Sequence, residues 1–138
     1  MSAIREVYGV ESAAGLEYSP ELDGLADPGE IVWAWVPFEE DPSRGKDRPL
    51  LVVGRHGARL LAMQLSSRDR SGRQDWYPLG IGAWDHERRE SYLCLDRVFE
   101  LDEDDLRREG AILDADLFAR VAAVLISRYG WRVRDRQP

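Results

Sequence analysis

Cysteine occurs once, lysine once and histidine twice in this chain of 138 residues. The single thiol, Cys94, can form no internal disulfide and no multi-thiolate metal site. His56 and His86 are isolated from each other and from any Ser or Cys companion, which argues against a zinc site and a nucleophilic triad. No run approaches the ~18 apolar residues of a membrane span, and the Met1 end has no signal-peptide apolar core. The expected compartment is therefore the cytoplasm, with no membrane partner. Phosphate-cradling glycine loops are also missing. The cluster Asp102-Glu103-Asp104-Asp105 lacks the central Gly and terminal Glu of a calcium loop, and reads as the start of a helical turn. No metal and no cofactor is expected.

What is present is ordinary in amount and unusual in placement. Hydrophobic residues make up 43% and charged residues 33%, enough for one domain with its own core. Net charge is −7, which weighs against nucleic acid as a partner until its distribution is considered. Residues 1–43 carry one basic and ten acidic side chains, whereas 44–75 carry eight basic and three acidic. Such a segment attracts phosphates over about a Debye length, roughly 8–10 Å. All basic residues but Lys46 are arginines, so any phosphate would meet planar forks with a permanent charge.

The pattern predicts a mainly β protein with some helix (α+β), a small curled antiparallel barrel with one packing helix near its end. Residues 1–28 read as an acidic arm, extended or partly disordered, and 29–138 as the domain. Glu30 to Phe38 alternates and is apolar on both faces, predicting a central strand. Glu39 to Asp47 reads as a charged loop, Leu50 to Gly54 as a second strand and Arg59 to Ser66 as a third, hairpin-paired with the second. A polar basic loop, Ser67 to Asp75, follows. Trp76 to Leu79 and Ser91 to Leu101 complete the strands, and Asp102 to Glu109 suits a short helical turn. Asp114 caps a helix with a stripe of Leu117, Val121, Val124, Leu125 and Phe118, stopped by Gly130.

One guanidinium, Arg48, stands where the charged loop enters the sheet. Antiparallel pairing of the second and third strands brings it to the end where Ser66 and Ser67 lie, with Arg68, Arg70 and Arg73 on the next loop. A guanidinium beside a hydroxyl among further arginines can receive a phosphodiester, with bonds that strengthen as charge develops. The other reading of Arg48 is structural, an ion pair with Asp47 or Asp41 that pins the loop. Residue types alone leave both open. Of the five tryptophans, Trp76 and Trp84 are the candidates for base stacking, and the rest read as core or interface.

Gly29-Glu30-Ile31-Val32-Trp33, the loop Asp41-Pro42-Ser43-Arg44-Gly45, and Arg48-Pro49-Leu50-Leu51-Val52-Val53 together resemble the MazF/PemK (Kid) toxins of type II toxin–antitoxin systems. Leu95-Asp96-Arg97-Val98 and the late helix also follow the family order, and the Trp-rich, charged version looks like an actinobacterial-type branch. The resemblance implies an SH3-like barrel forming homodimers, and a metal-independent endoribonuclease that cuts single-stranded RNA by 2′-OH attack. It also implies a cognate acidic antitoxin. It carries catalytic roles to Arg48 and Ser66, with Ser67, Asp47 and Asp41 as possible support and Arg44, Lys46, Arg68, Arg70, Arg73 and Trp76 as RNA contacts. The loop Glu of many family members is missing before Arg48-Pro49. That departure keeps an alternative in view, a catalytically inactive or CcdB-like barrel that acts by binding protein, such as gyrase or an antitoxin. The acidic arm, like an antitoxin tail, could lie on the basic face.

Overall fold

The structure is a computed structural model that describes residues 4–7, 15–16, 18 and 26–133. In chain order the elements are β1 (Arg5–Val7), β2 (Gly15–Leu16), β3 (Glu30–Pro37), β4 (Gly45–His56), β5 (Arg59–Ser66), β6 (Trp76–Gly80), β7 (Ser91–Cys94), β8 (Val98–Leu101), β9 (Arg107–Ile112), α1 (Ala115–Tyr129) and β10 (Arg132–Val133). Pairing is antiparallel throughout except between β10 and β2, so the expected α+β barrel class stands. β3 lies between β4 and β9, the central position that its two apolar faces require. β5 pairs with β4 along its length, with β8 at its start and with β7 at its end. One strand that changes partner partway forces the sheet to curl.

Strand alternation sorts the apolar side chains into two cores. Odd-numbered residues of the hairpin, including Leu51, Val53, Leu61 and Met63, face α1 and meet Phe118, Val121 and Leu125. Even-numbered ones, including Leu50, Val52, Leu60 and Ala62, pack with Val32, Ala34, Val36, Phe99 and Leu101. The helix begins and ends as its sequence predicts. Asp114 accepts from the amides of Asp116 and Leu117, and Gly130 adopts the left-handed cap at φ 71°.

Four expectations need correction. β4 begins at Gly45 rather than Leu50, because β3 is long enough to pair it as far as Pro37↔Gly45. This shortens the preceding loop, which Asp41 folds by accepting from the backbone amide and hydroxyl of Ser43. The stretch Ser91 to Leu101 is two strands, broken at a bend over Leu95 and Asp96 where the chain moves from β6 and β7 to the sheet holding β8. The helical turn is confined to Glu103–Asp105, and Arg107–Ile112 is a strand on the edge of β3. Trp35, expected on a buried face, is 48% exposed because the main core stops short of the far end of β3.

The described parts of the arm lie in the sheet: β1 pairs with β8, and β2 with β4. Leu16 is fully buried there. Tyr18 donates its hydroxyl to the Leu113 carbonyl, Ala26 is buried and Asp27 pairs with Arg55, and the rest of the expected 1–28 arm lies outside the described residues. Among the described residues no helix is long and apolar enough to cross a membrane.

Candidate functional site

The second core changes character at one end. Following its rows, the β4 series 52, 50 continues to Arg48, the β5 series 60, 62 continues to Gln64 and Ser66, and the series 101, 99 continues to Arg97. Leu50↔Gln64 is the last pair of β4 with β5, and Arg48 and Ser66 each lie two residues beyond it at the same end of the hairpin. Four polar residues thus occupy positions where alternation would otherwise place core, and all four line a cleft of about 690 Å³.

Arg48 sits on β4 opposite Ala34 of β3 and is half-buried. Among the described residues it has no ion pair. The structural alternative is not what the geometry provides: Asp47 instead accepts from Arg107 at 2.8 Å, and Asp41 is bonded within its own loop. Burial, followed by the positive fields of Arg97, Arg68 and Arg70, lowers the affinity of Arg48 for its proton, and Glu40 opposes them. An uncompensated guanidinium among like charges is destabilised until an anion arrives.

Ser66 is buried, and its Oγ accepts from the amide of Arg68 at 3.2 Å, leaving the hydroxyl proton free to donate. Ser67 is exposed and also lines the cleft. Arg70 lies 4.4 Å over the ring of Trp76, and its buried Nε has no hydrogen-bond partner among the described residues. Lys46, Arg68 and Arg73 reach the cleft as well, whereas Arg44 and Asp41 do not line it. The basic loop is fixed by Asp69, which accepts from Ser71 at 2.9 Å and from the Tyr92 hydroxyl at 3.2 Å. Those bonds hold the Asp69 carboxyl below the usual carboxylate range.

Three cleft residues, Arg97, Glu40 and Gln64, are not among the site residues that the sequence predicts. Arg97 is gripped by Glu6 at 3.0 and 3.2 Å and donates to the Pro37 carbonyl. Burial disfavours its charge, but the bonds to Glu6 outweigh that and raise its affinity for the proton. One acid of the N-terminal arm therefore holds a cation at the cleft. Glu40 lines the cleft with no ion pair among the described residues, and Gln64 could have been flagged as a polar break in an apolar strand row. Among the other rim acids Asp85 is engaged with Arg89, Glu39 with Arg97, and Asp96 with the Cys94 thiol, whereas Asp75, like Glu40, has no ion pair among the described residues. Trp84, proposed for stacking, is only 7% exposed and donates its indole N–H to Ser91, so it serves as cleft wall. Gly82 packs so closely on that ring that an added Cβ would lie 2.0 Å from it.

Burial, with Asp96 beside it, pushes the Cys94 thiol up to about 12, so it stays protonated and is no nucleophile at neutral pH. Among the described residues no group of three or more His, Cys, Asp or Glu is placed to hold a metal ion. The sequence model of one protein family, described as PemK-like, MazF-like toxin of type II toxin-antitoxin system, matches residues 27–128. A search of curated proteins gave no match.

Proposed function

Since the chain belongs to the PemK-like, MazF-like toxins of type II toxin–antitoxin systems, we propose that it is a cytoplasmic endoribonuclease that cuts single-stranded RNA without a metal ion. Family membership brings an antitoxin partner, and the cationic cleft suits an acidic one. The observation that carries the enzymatic reading is Arg48: a half-buried guanidinium with no ion pair among the described residues, set among Arg97, Arg68 and Arg70.

In the proposed reaction the scissile phosphate lies between Arg48 and Ser66. The ribose 2′-oxygen attacks phosphorus, the O2′–P bond forms, and the P–O5′ bond breaks. The products are a 2′,3′-cyclic phosphate and a 5′-hydroxyl. Arg48 and the Ser66 hydroxyl donate to the non-bridging oxygens, where charge accumulates. Glu40 is assigned to take the 2′-OH proton, because of the two cleft carboxylates without an ion pair among the described residues, Glu40 and Asp75, it is the one whose field acts on Arg48. Arg48 is assigned to return a proton to the leaving O5′, a role that its lowered proton affinity supports. Lys46, Arg68, Arg70 and Arg73 guide the flanking phosphates, and Trp76 offers a ring face.

One observation favours the second reading, a barrel that only binds partners. Asp41 and Asp47, the carboxylates nearest Arg48 in sequence, are both engaged elsewhere, so proton removal depends on Glu40 or Asp75. Incubation of the protein with a long RNA in a chelator, with cut sites mapped by primer extension, separates the two. Discrete cuts that fall about 100-fold in Arg48→Ala and Glu40→Gln are expected. Absence of cuts by wild-type protein supports the binding reading, and undiminished cutting by Glu40→Gln removes that residue from the mechanism.

A further inference from the structure

Gln64 contradicts its own strand. The row it belongs to reads Leu60, Ala62, Gln64, Ser66, and its cross-strand neighbour Leu50 is fully buried and offers no side-chain donor. Gln64 is 8% exposed, and its Oε1 is buried with no hydrogen-bond partner among the described residues. A leucine here would extend the second core and avoid desolvating an amide that the fold does not satisfy. Local rules are broken in this way where a site requires it. The carboxamide lines the cleft one diagonal step from Arg48 and two residues from Ser66.

An unsatisfied acceptor selects a ligand with a donor. Phosphate oxygens at neutral pH offer none, so the donor must come from sugar or base. The donor bound to be nearest the scissile phosphate is the 2′-hydroxyl on its 5′ side, carried by the carbon next to the 3′-oxygen. Resting on the ribonuclease reading, we propose that Gln64 accepts a hydrogen bond from this 2′-hydroxyl, orienting it for in-line attack and selecting RNA over DNA. An amide is not basic enough to remove the hydroxyl's one proton, so the bond to Gln64 holds the nucleophile in the bound state and is exchanged for a bond to the carboxylate, which takes the proton as attack begins. A deoxyribose would leave the acceptor orphaned, and sites built to bond a hydroxyl discriminate strongly against its loss.

The test uses Gln64→Leu and oligonucleotides modified at one mapped cut site. Single-turnover cleavage of unmodified RNA is expected to fall about tenfold in Gln64→Leu while thermal stability stays level or rises. A 2′-amino sugar keeps a donor and a 2′-fluoro sugar lacks one, and neither supplies the attacking hydroxyl. Wild-type protein is expected to bind the 2′-amino oligonucleotide more tightly, and Gln64→Leu to bind both alike. Wild-type cleavage by Gln64→Leu, retention of the 2′-amino preference, or loss of activity in step with loss of stability would each overturn the assignment. In those cases the wild-type protein still cuts RNA and the ribonuclease reading survives. A wild type that neither cuts nor binds RNA removes both.

Discussion

Arg48 and Cys94 line the same cleft, and burial acts on each in a direction set by its charge chemistry. For Arg48 it disfavours the charged form, and neighbouring arginines add to the effect. For Cys94 it favours the neutral thiol, which also donates to Asp96 at 2.9 Å. The sign of the resulting pH dependence follows from linkage. The folded thiol titrates near 12 and the unfolded one near 9, so its contribution is complete below pH 9 and is lost as pH rises towards 12. Chemical denaturation of wild type should therefore lose up to about 1.4 kcal/mol per pH unit in that window relative to Cys94→Ala. Parallel curves for the two proteins would show that Cys94 is not buried as described. Arg48 was legible as the Arg of an Arg-Pro step. Gln64 was not, because an isolated amide in an apolar strand matches no motif and only strand parity exposes it.

At the scale of elements, periodicity carried the reading where a segment has two clean faces. β3, the β4–β5 hairpin and α1 all have them. β9 does not. Its sequence Arg107-Arg108-Glu109-Gly110 resembles a turn, and only Ala111 of the strand is buried. What holds it is a tertiary contact invisible to periodicity: Arg108 bonds Glu30 of β3 through two nitrogens, one at 3.0 Å, and the Glu30 side chain is 2% exposed. Removing one partner of such a pair costs far more than the pair itself contributes. Glu30→Ala is expected to destabilise the fold by about 3 kcal/mol and to speed hydrogen exchange across β9. An unchanged unfolding midpoint would mean that β9 is held by its backbone ladder alone. The break between β7 and β8 was hard to read for a similar reason: its only local mark is the charged pair Asp96-Arg97 in an otherwise strand-like stretch, and β5 takes β7 and β8 as separate partners.

For the whole molecule, the informative quantity is charge arrangement rather than the total of −7. Five of the eight basic residues at 44–75, Lys46, Arg48, Arg68, Arg70 and Arg73, are gathered by the hairpin and its following loop onto one cleft, while of the described arm's acids Asp27 pairs with Arg55 and Glu6 with Arg97 at the cleft. Binding of single-stranded RNA should weaken with salt, with a logarithmic slope of about −0.7 per phosphate contacted. Lys46→Ala and Arg73→Ala should each lower that slope by roughly one contact and leave the cut sites unchanged. A salt-independent affinity would show that RNA is not held by this cleft. The segregation of charge was readable from the sequence, but its convergence was not, because it depends on how the hairpin register and the β5 partner change bring distant residues together.

The central claim is that Arg48, which has no ion pair among the described residues, serves a scissile phosphate. The most direct measurement is single-turnover cleavage of a short RNA containing one mapped site, in a chelator, with the product ends identified by mass. Wild-type protein is expected to leave a 2′,3′-cyclic phosphate and a 5′-hydroxyl. Arg48→Ala should cut at least about 100-fold more slowly while remaining folded and as stable as wild type. Equal rates for the two proteins, or an Arg48→Ala that unfolds, would contradict the claim.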